Sequence, residues 1–366
     1  MARAILNGQG GIRFKGLNVL IPPTKTDYFY YNVNGRSYYE NISTDGAKIQ
    51  AILGNTAVTL TDNLYWSPAE ITEDTTEIIV GAVINGVARE AAIPVTVRTF
   101  NSPLDANSWE EIASAAMLGI APDLWELGDT KTFTDKNGVT RTAQIVGYGH
   151  DDLHETDAMY DNADYNGGSN KAAITFRLLD LPPAGIKWSE NTTGWRDWRN
   201  CDLKTLNGHT DGKIRLPDMW ATMPDVLVDK ARTVAKKTFV VNSQRPSGGN
   251  YSYYKNGSGY WRVETTADLF FLPSYIELFN AANDEGGEEE GFVYEFLADG
   301  ATPQKVADKL WLRSLHIACA FNYWHVYRTH HILNGGGQTT GVGVEMISPD
   351  QNSDYTDNYY QMMFCL

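Results

Sequence analysis

Asn-Gly pairs sit between alternating apolar and polar runs at Asn34-Gly35, Asn85-Gly86 and Asn137-Gly138. A two-residue type I′ turn needs positive φ at both central positions, and Asn-Gly tolerates this best. Asn-Gly between alternating runs is therefore the strongest local signal for an antiparallel hairpin. "TDYFYYNVNGRSYYENI" and "TEIIVGAVINGVAREAAIPVTVRTF" read as two such hairpins, and "AKIQAILGNTAVTLTDNLYW" supplies two further strands. Short strands at this spacing, with no amphipathic helix among them, predict a small immunoglobulin-like β-sandwich over residues 1–100. Nothing in that stretch carries chemistry.

Near residue 100 the pattern changes. Ser102-Pro103 reads as a linker, Ser108 and Glu111 form a capping box that opens a helix, and Gly119 is placed to close it. Residues 101–366 mix strands with short helices, so the fold class is α+β. "TKTFTDKNGVTRTAQIVGYGH" is a hairpin turning at Asn137-Gly138, and the nearly continuous apolar run "AAITFRLLDL" is a central strand. "GWRDWRNCDLKTLNG" sets Trp195, Trp198 and Leu206 on one helical face, with Gly208 as its cap. "PDVLVDKARTVAKKTFVV" is a short helix running into a strand. "LFFLPSYIELFN" is a strand and then a helix carrying Pro273 in its first turn, where a missing N–H is tolerated. Trp311-Leu312-Arg313-Ser314 reads as a buried strand. The Gly-, Asn- and acid-rich stretches 160–170, 244–260 and 281–291 are loops.

The chain has 366 residues, enough for two or three domains, and its 42 % apolar and 20 % charged content suits a sizeable core. No apolar run is long enough to span a bilayer, and "MARAILNGQGGIRF" lacks the apolar stretch of a secretory signal. A net charge of −15 repels phosphate, which argues against nucleic acid and anionic lipid as partners. Cys201, Cys319 and Cys365 are far apart and odd in number, so they read as buried reduced thiols.

"GYGHDDLHETDAMYDNADYNGG" gathers His150, Asp151, Asp152, His154, Glu155, Asp157, Asp161 and Asp164. Oxygen and imidazole ligands suit a divalent metal, yet neither the EF-hand ligand order nor a His-Glu-x-x-His helix is present. The reading that fits the composition is a solvated loop whose Asp side chains cap turn amides. No nucleophile elbow, P-loop or dinucleotide fingerprint occurs, and Gly335-Gly336-Gly337 reads as a turn. The expectation is a non-enzyme without cofactor or metal. The alternative is a virion enzyme acting on surface glycan, with His150 and Asp151 or Asp152 as acid and base.

The order of "NSWEEIASAAMLGIAPDLWELGDTKTF", "AQIVGYGHDDLHETD", "KAAITFRLLDL", "TTGWRDWRNCDL", "LPDMWATMPDVLVDKARTVAKKT", "TTADLFFLPSYIELF", "WLRS" and the terminal "FCL" resembles a phage- and prophage-associated domain family of unknown function. That family is common in gut bacteria and is similar to the C-type lectin fold. The resemblance covers roughly residues 100–366. It implies a compact domain with a small twisted antiparallel sheet and much irregular loop. It also implies kinship with the variable proteins of diversity-generating retroelements, whose mutated adenines reach Asn, Asp, Tyr, His, Ser, Thr, Phe and Val codons. Phage members of this kind are tail receptor-binding proteins. The family's Arg-Pro or Gly-containing strand before the last aromatic is replaced here by Tyr359-Tyr360-Gln361-Met362-Met363-Phe364. Formylglycine synthase shares the fold, but the three cysteines show no local pairing that would support its chemistry.

"AFNYWHVYRTHHILN" and "SPDQNSDYTDNYYQMM" are rich in the residues such mutagenesis reaches. Tyr and Trp offer large contact area for few rotatable bonds, while Asn, Ser and His adapt their hydrogen bonds. The expected ligand surface is Phe321, Asn322, Tyr323, Trp324, His325, Tyr327, Thr329, His330 and His331, together with Asn352, Asp354, Tyr355, Asp357, Asn358 and Tyr359. If the first segment is a strand, Trp324 and Val326 point inward while Tyr323, His325 and Tyr327 point outward. The adjacent His330 and His331 then face opposite sides and hold no metal together. The partners implied are a host-surface protein or glycan and other tail proteins. Location in the virion after synthesis in the bacterial cytoplasm follows, and tail fibres suggest a homotrimer by analogy. A purely structural tail protein is the remaining alternative.

Overall fold

The computed structural model describes residues 14–33, 36–62, 64–84, 87–179, 198–199, 201, 203–204, 214–241, 261–279, 290–298, 310–316, 327–333, 342–347 and 359–366. Strands dominate and helices are few and short. The chain divides into two compact units, residues 1–101 and 102–366. Among the described residues no helix is long and apolar enough to cross a membrane.

The first unit holds β1 (Phe14–Ile21), β2 (Asp27–Val33), β3 (Arg36–Tyr39), β4 (Lys48–Leu53), β5 (Thr56–Leu60), β6 (Leu64–Ser67), β7 (Glu77–Ile84), β8 (Val87–Pro94) and β9 (Thr96–Thr99). They form three three-stranded sheets, ordered β1-β4-β5, β6-β7-β8 and β3-β2-β9. Val33 pairs with Arg36 and Ile84 with Val87, so each expected Asn-Gly pair falls between the last rungs of a hairpin ladder. In β4 the residues Ile49, Ala51 and Leu53 are buried and alternate with more exposed neighbours. They meet Leu17, Leu60, Val80, Ala82 and Ile93 in one core, so the first two sheets share their apolar faces. Trp66 borders both that core and a smaller one built on Tyr28, Ile71 and Ile78. β2 runs antiparallel to β3 and parallel to β9.

The second unit begins with α1 (Trp109–Leu118), α2 (Ala121–Leu124), β10 (Thr130–Thr134), β11 (Thr140–Tyr148) and β12 (Ile174–Leu178). Then come α3 (Leu216–Ala221), α4 (Asp225–Lys230), β13 (Val234–Val241), β14 (Trp261–Asp268), β15 (Phe270–Phe271) and α5 (Tyr275–Phe279). The last strands are β16 (Leu310–His316), β17 (Tyr327–Leu333), β18 (Val342–Ile347), β19 (Tyr359–Tyr360) and β20 (Met363–Cys365). A five-stranded antiparallel sheet runs β10-β11-β12-β20-β15, β13 pairs with β14, and a four-stranded sheet runs β18-β17-β16-β19.

The start of this unit follows its local chemistry. The Ser108 hydroxyl accepts from the Glu111 amide, Glu111 accepts from the Ser108 amide at 2.6 Å, and Gly119 closes α1 at φ 70°. That conformation is strained for any residue with a Cβ. Trp109 then lies edge-on to Phe133, Phe176 and Phe364, and Trp220 packs on Phe270 and Phe364. These rings cover one face of the five-stranded sheet. All five residues of β12 are buried, as its continuous apolar run implies.

Two local expectations change. The β10–β11 hairpin turns over five residues rather than two, and at Asn137-Gly138 only the glycine has positive φ, 80°. The cause is Asp135, whose buried carboxylate accepts from the amides of Asn137 and Val139 and from Arg141. Pro273 does not sit in the first turn of α5. It precedes Ser274, whose hydroxyl and amide exchange hydrogen bonds with Glu277 as a second capping box. Of the expected helix with Trp195, Trp198, Leu206 and Gly208, only Trp198 lies among the described residues; it is buried in a turn and donates to Asp268. Within the loop 160–170 a short 3-10 turn spans Asn166–Gly168.

Replacing Ser108 by Ala is expected to lower the unfolding free energy by about 1 kcal/mol, read as a lower denaturant midpoint. Burial acts to raise the Asp135 pKa, but the Val139 and Asn137 amides and the Arg141 guanidinium outweigh it and hold the carboxyl below its ordinary range. A carboxyl with a depressed folded pKa stabilises above its unfolded pKa and loses that contribution as pH falls through the folded value. Asp135→Asn should therefore lower the midpoint at pH 7, and the gap from wild type should close below about pH 4.

Candidate functional site

The sequence points to two places, the C-terminal strands and the His150–Asp164 segment. In the first, Tyr327, Thr329, His330 and His331 lie on β17, and Tyr359 lies on β19. β17 is an inner strand. Tyr327 stands opposite His316, Thr329 opposite Met346, His330 between Trp311 and Glu345, and His331 between Leu310 and Val344. Strand alternation places positions 327, 329 and 331 on one face and 330 on the other. Tyr359 is in register with Leu310 across a parallel pairing of β19 with β16. Phe321, Asn322, Tyr323, Trp324, His325, Val326, Asn352, Asp354, Tyr355, Asp357 and Asn358 lie outside the described residues, as do Gly335-Gly336-Gly337 and Cys319.

The base of these strands is firmly built. Tyr360 is fully buried and donates its hydroxyl to the Ile214 carbonyl at 2.7 Å. Residues 360–366 are all buried, and β20 fills the gap between β12 and β15.

The His150–Asp164 segment is not one solvated cluster, because its members part in different directions. Asp152 stays at the surface and pairs with Lys171 at 2.8 Å. The His154 ring bonds the Thr156 hydroxyl. Asp157 accepts from the amides of Met159 and Thr233 and lies 3.5 Å from Arg232, as a turn-capping Asp should. Asp161 and Asn170 bond each other. Among the described residues no three His, Cys, Asp or Glu side chains are grouped to hold a metal ion.

His150 and Asp151 instead go inward, with side chains only 4 % and 2 % exposed. That geometry corrects the acid–base pairing considered for surface glycan. Asp151 has no face open to a polysaccharide, and Asp152 is held on a surface lysine. The His150 Nε2–H donates to the Phe292 carbonyl at 2.8 Å, its ring stacks on Tyr294, and Nδ1 lies 3.4 Å from Asp151.

Asp151 is the hub of a network that the sequence reading missed. Lys236 Nζ contacts Asp151 Oδ1 and, at 2.6 Å, Glu277 Oε1. The Thr175 hydroxyl donates to Asp151 Oδ2 at 2.6 Å, and the Tyr294 hydroxyl lies 3.3 Å from both carboxylate oxygens. The Cys365 thiol approaches Oδ2 at 3.5 Å. Burial works against charge on Asp151, but the Lys236 ammonium and His150 hold its carboxyl well below the usual range. Burial and the nearby carboxylate push the Cys365 thiol well up, so it stays protonated. Cys201 and Cys365 are both buried and form no disulfide.

Two signals would have found this network. In β13, Val234, Lys236 and Thr238 are buried while Lys237 is exposed, so the two-residue period alone sends Lys236 inward. In α5, the capping box fixes Glu277 with one oxygen on the Ser274 amide, and the other meets Lys236. Nearby on the same sheet face, buried Arg177 is held by Gln144 and the Phe296 ring, and burial lowers its pKa to about 10.

Removing one partner of a buried ion pair leaves an uncompensated charge in a medium of low polarity. Lys236→Met should therefore reduce unfolding free energy by about 3–5 kcal/mol. Adding Asp151→Asn to that variant should recover part of the loss, because it removes one of two facing carboxylates. Chemical denaturation of the three proteins tests both statements.

No family model, curated protein or solved structure matches this chain.

Proposed function

We propose that the chain is the receptor-binding protein of a phage or prophage tail. In this reading the second unit is C-type-lectin-like and presents retroelement-diversified residues to a protein or glycan on the host surface. The first unit, immunoglobulin-like, docks it to other tail proteins, and the assembly is a homotrimer in the virion. The chain binds its ligand and turns over no substrate.

The observation that carries this reading is how residues 317–358 are tethered. The chain leaves the scaffold on β16 and returns on β19, and these two strands are paired neighbours. Directly after β19 it enters β20, a buried inner strand of the five-stranded sheet. The Tyr-, His- and Asn-rich segments thus lie on an excursion with both ends anchored, the arrangement by which rigid scaffolds display binding residues. Burial of His150 and Asp151 gives their network a structural task.

Changing Tyr323, His325, Tyr327 and Tyr355 to Ala should each alter stability by no more than about 0.5 kcal/mol, as at surface positions. The same changes should abolish binding to host cells. Large stability losses with binding retained would count against the reading. In the neighbouring DNA we expect a reverse transcriptase gene and a near-copy of the 3′ coding segment that differs at adenines.

A further inference from the structure

We propose that Lys236 and Asp151 are joined by an intramolecular amide bond, formed spontaneously after folding, with Glu277 carrying the proton. Three observations lead there. The first is composition: a primary amine, a carboxyl acceptor and a second carboxylate meet at one point, on β13, on the segment after β11 and on α5. The second is enclosure. The three side chains are 3 %, 2 % and 1 % exposed, and Phe271 and Tyr294 line the site with their rings 4.2 and 5.8 Å from Nζ. The third is a division of labour between the two carboxylates.

On Asp151 the oxygens are differentiated. Oδ2 receives the Thr175 hydroxyl proton and faces the Cys365 thiol, donors that a developing oxyanion needs, while the Tyr294 hydroxyl lies 3.3 Å from both oxygens. Oδ1 faces Lys236 and is the oxygen that departs. On Glu277 one oxygen is committed to the Ser274 amide at the start of α5, while the other takes a Lys236 proton at 2.6 Å. Asp151 is thus polarised for attack and Glu277 is fixed as a base.

The step balances without oxidant, reductant or co-reactant. One ammonium proton passes to Asp151 Oδ1 and neutralises it, the freed amine pair attacks that carboxyl carbon, and Glu277 then takes a second proton from the nitrogen. The tetrahedral centre holds its negative charge on Oδ2. Oδ1 leaves as water with two of the three original ammonium protons, one of them returned by Glu277, and the third stays on the amide nitrogen. The C–O bond breaks, a C–N bond forms, and one ammonium and one carboxylate disappear. Fixing amine and acid together supplies an effective concentration on the order of 10⁵–10⁸ M. Sealing them from water also favours the uncharged amide, since each buried ion costs several kcal/mol.

The test is the intact mass of the full-length protein under denaturing, reducing conditions, followed by tryptic mapping. The expected result is a mass one water below that of the sequence and a branched peptide joining the Lys236 and Asp151 segments. Lys236→Arg keeps the positive charge but not the nucleophile, and should return to the sequence mass. Three outcomes overturn the proposal. They are a wild-type mass equal to the sequence mass, a branch at Glu277, or the same loss of water in Lys236→Arg, which places the dehydration elsewhere.

Discussion

The second unit depends on Lys236. Its side chain reaches from β13 to Asp151, 85 residues earlier, and to Glu277, 41 residues later. Asp151 in turn gathers Thr175 of β12, Tyr294, and Cys365 from β20 at the end of the chain. Six segments distant in sequence therefore meet within one set of hydrogen bonds. Burying such charges is unfavourable unless every partner is present together. A misplaced strand would strand a carboxylate or an ammonium without its match. The network thus favours a single arrangement of β12, β13, β20 and α5 over near alternatives, a role for which apolar contacts are poorly suited because they tolerate slippage.

That logic explains why the five-stranded sheet has two unlike faces. On one, Trp109, Trp220, Phe176 and Phe364 interlock ring against ring and supply non-directional burial. On the other, Thr175, Arg177 and Cys365 belong to polar contacts with fixed geometry. β20 is the strand that needs both. It consists of three residues and could not hold its register by ladder bonds alone, yet Phe364 enters the aromatic face and Cys365 the polar one. β20 becomes an inner strand of the sheet because each of its sides is recognised by a different kind of contact.

The parts of this fold written within about ten residues were legible in sequence. Asn-Gly marked the β2–β3 and β7–β8 hairpins, Ser108 and Glu111 marked the start of α1, and the continuous apolar run of β12 marked an inner strand. Where reading failed locally, a polar side chain had reshaped the backbone: Asp135 widened a hairpin, and Ser274 moved a helix start past Pro273. The Asp151 network was invisible for a different reason. A lysine beside another lysine in "AKKTF" and acids in "HDDLHETD" look solvated when read alone. The two-residue period of β13 turns one of those lysines inward, but its meeting with Asp151, 85 residues earlier, is a long-range property. Of the expected ligand residues, those on β17 and β19 could be placed in register, with His330 on the opposite face from Thr329 and His331.

The anchoring of β20 also bears on what the C-terminal strands can tolerate. β16 and β19 are parallel neighbours with Tyr359 beside Leu310, so the excursion leaves at the far end of β16 and returns beside its start. Loop-closure cost rises by only about 0.6 kcal/mol for each doubling of length. A change of sequence or length within the excursion is then a small perturbation, provided the base is held by contacts that the excursion does not make. Tyr360 meets this condition through Ile214, and Cys365 through Thr175 and Asp151. The contacts that hold Tyr360 and Cys365 are thus made by residues outside 317–358.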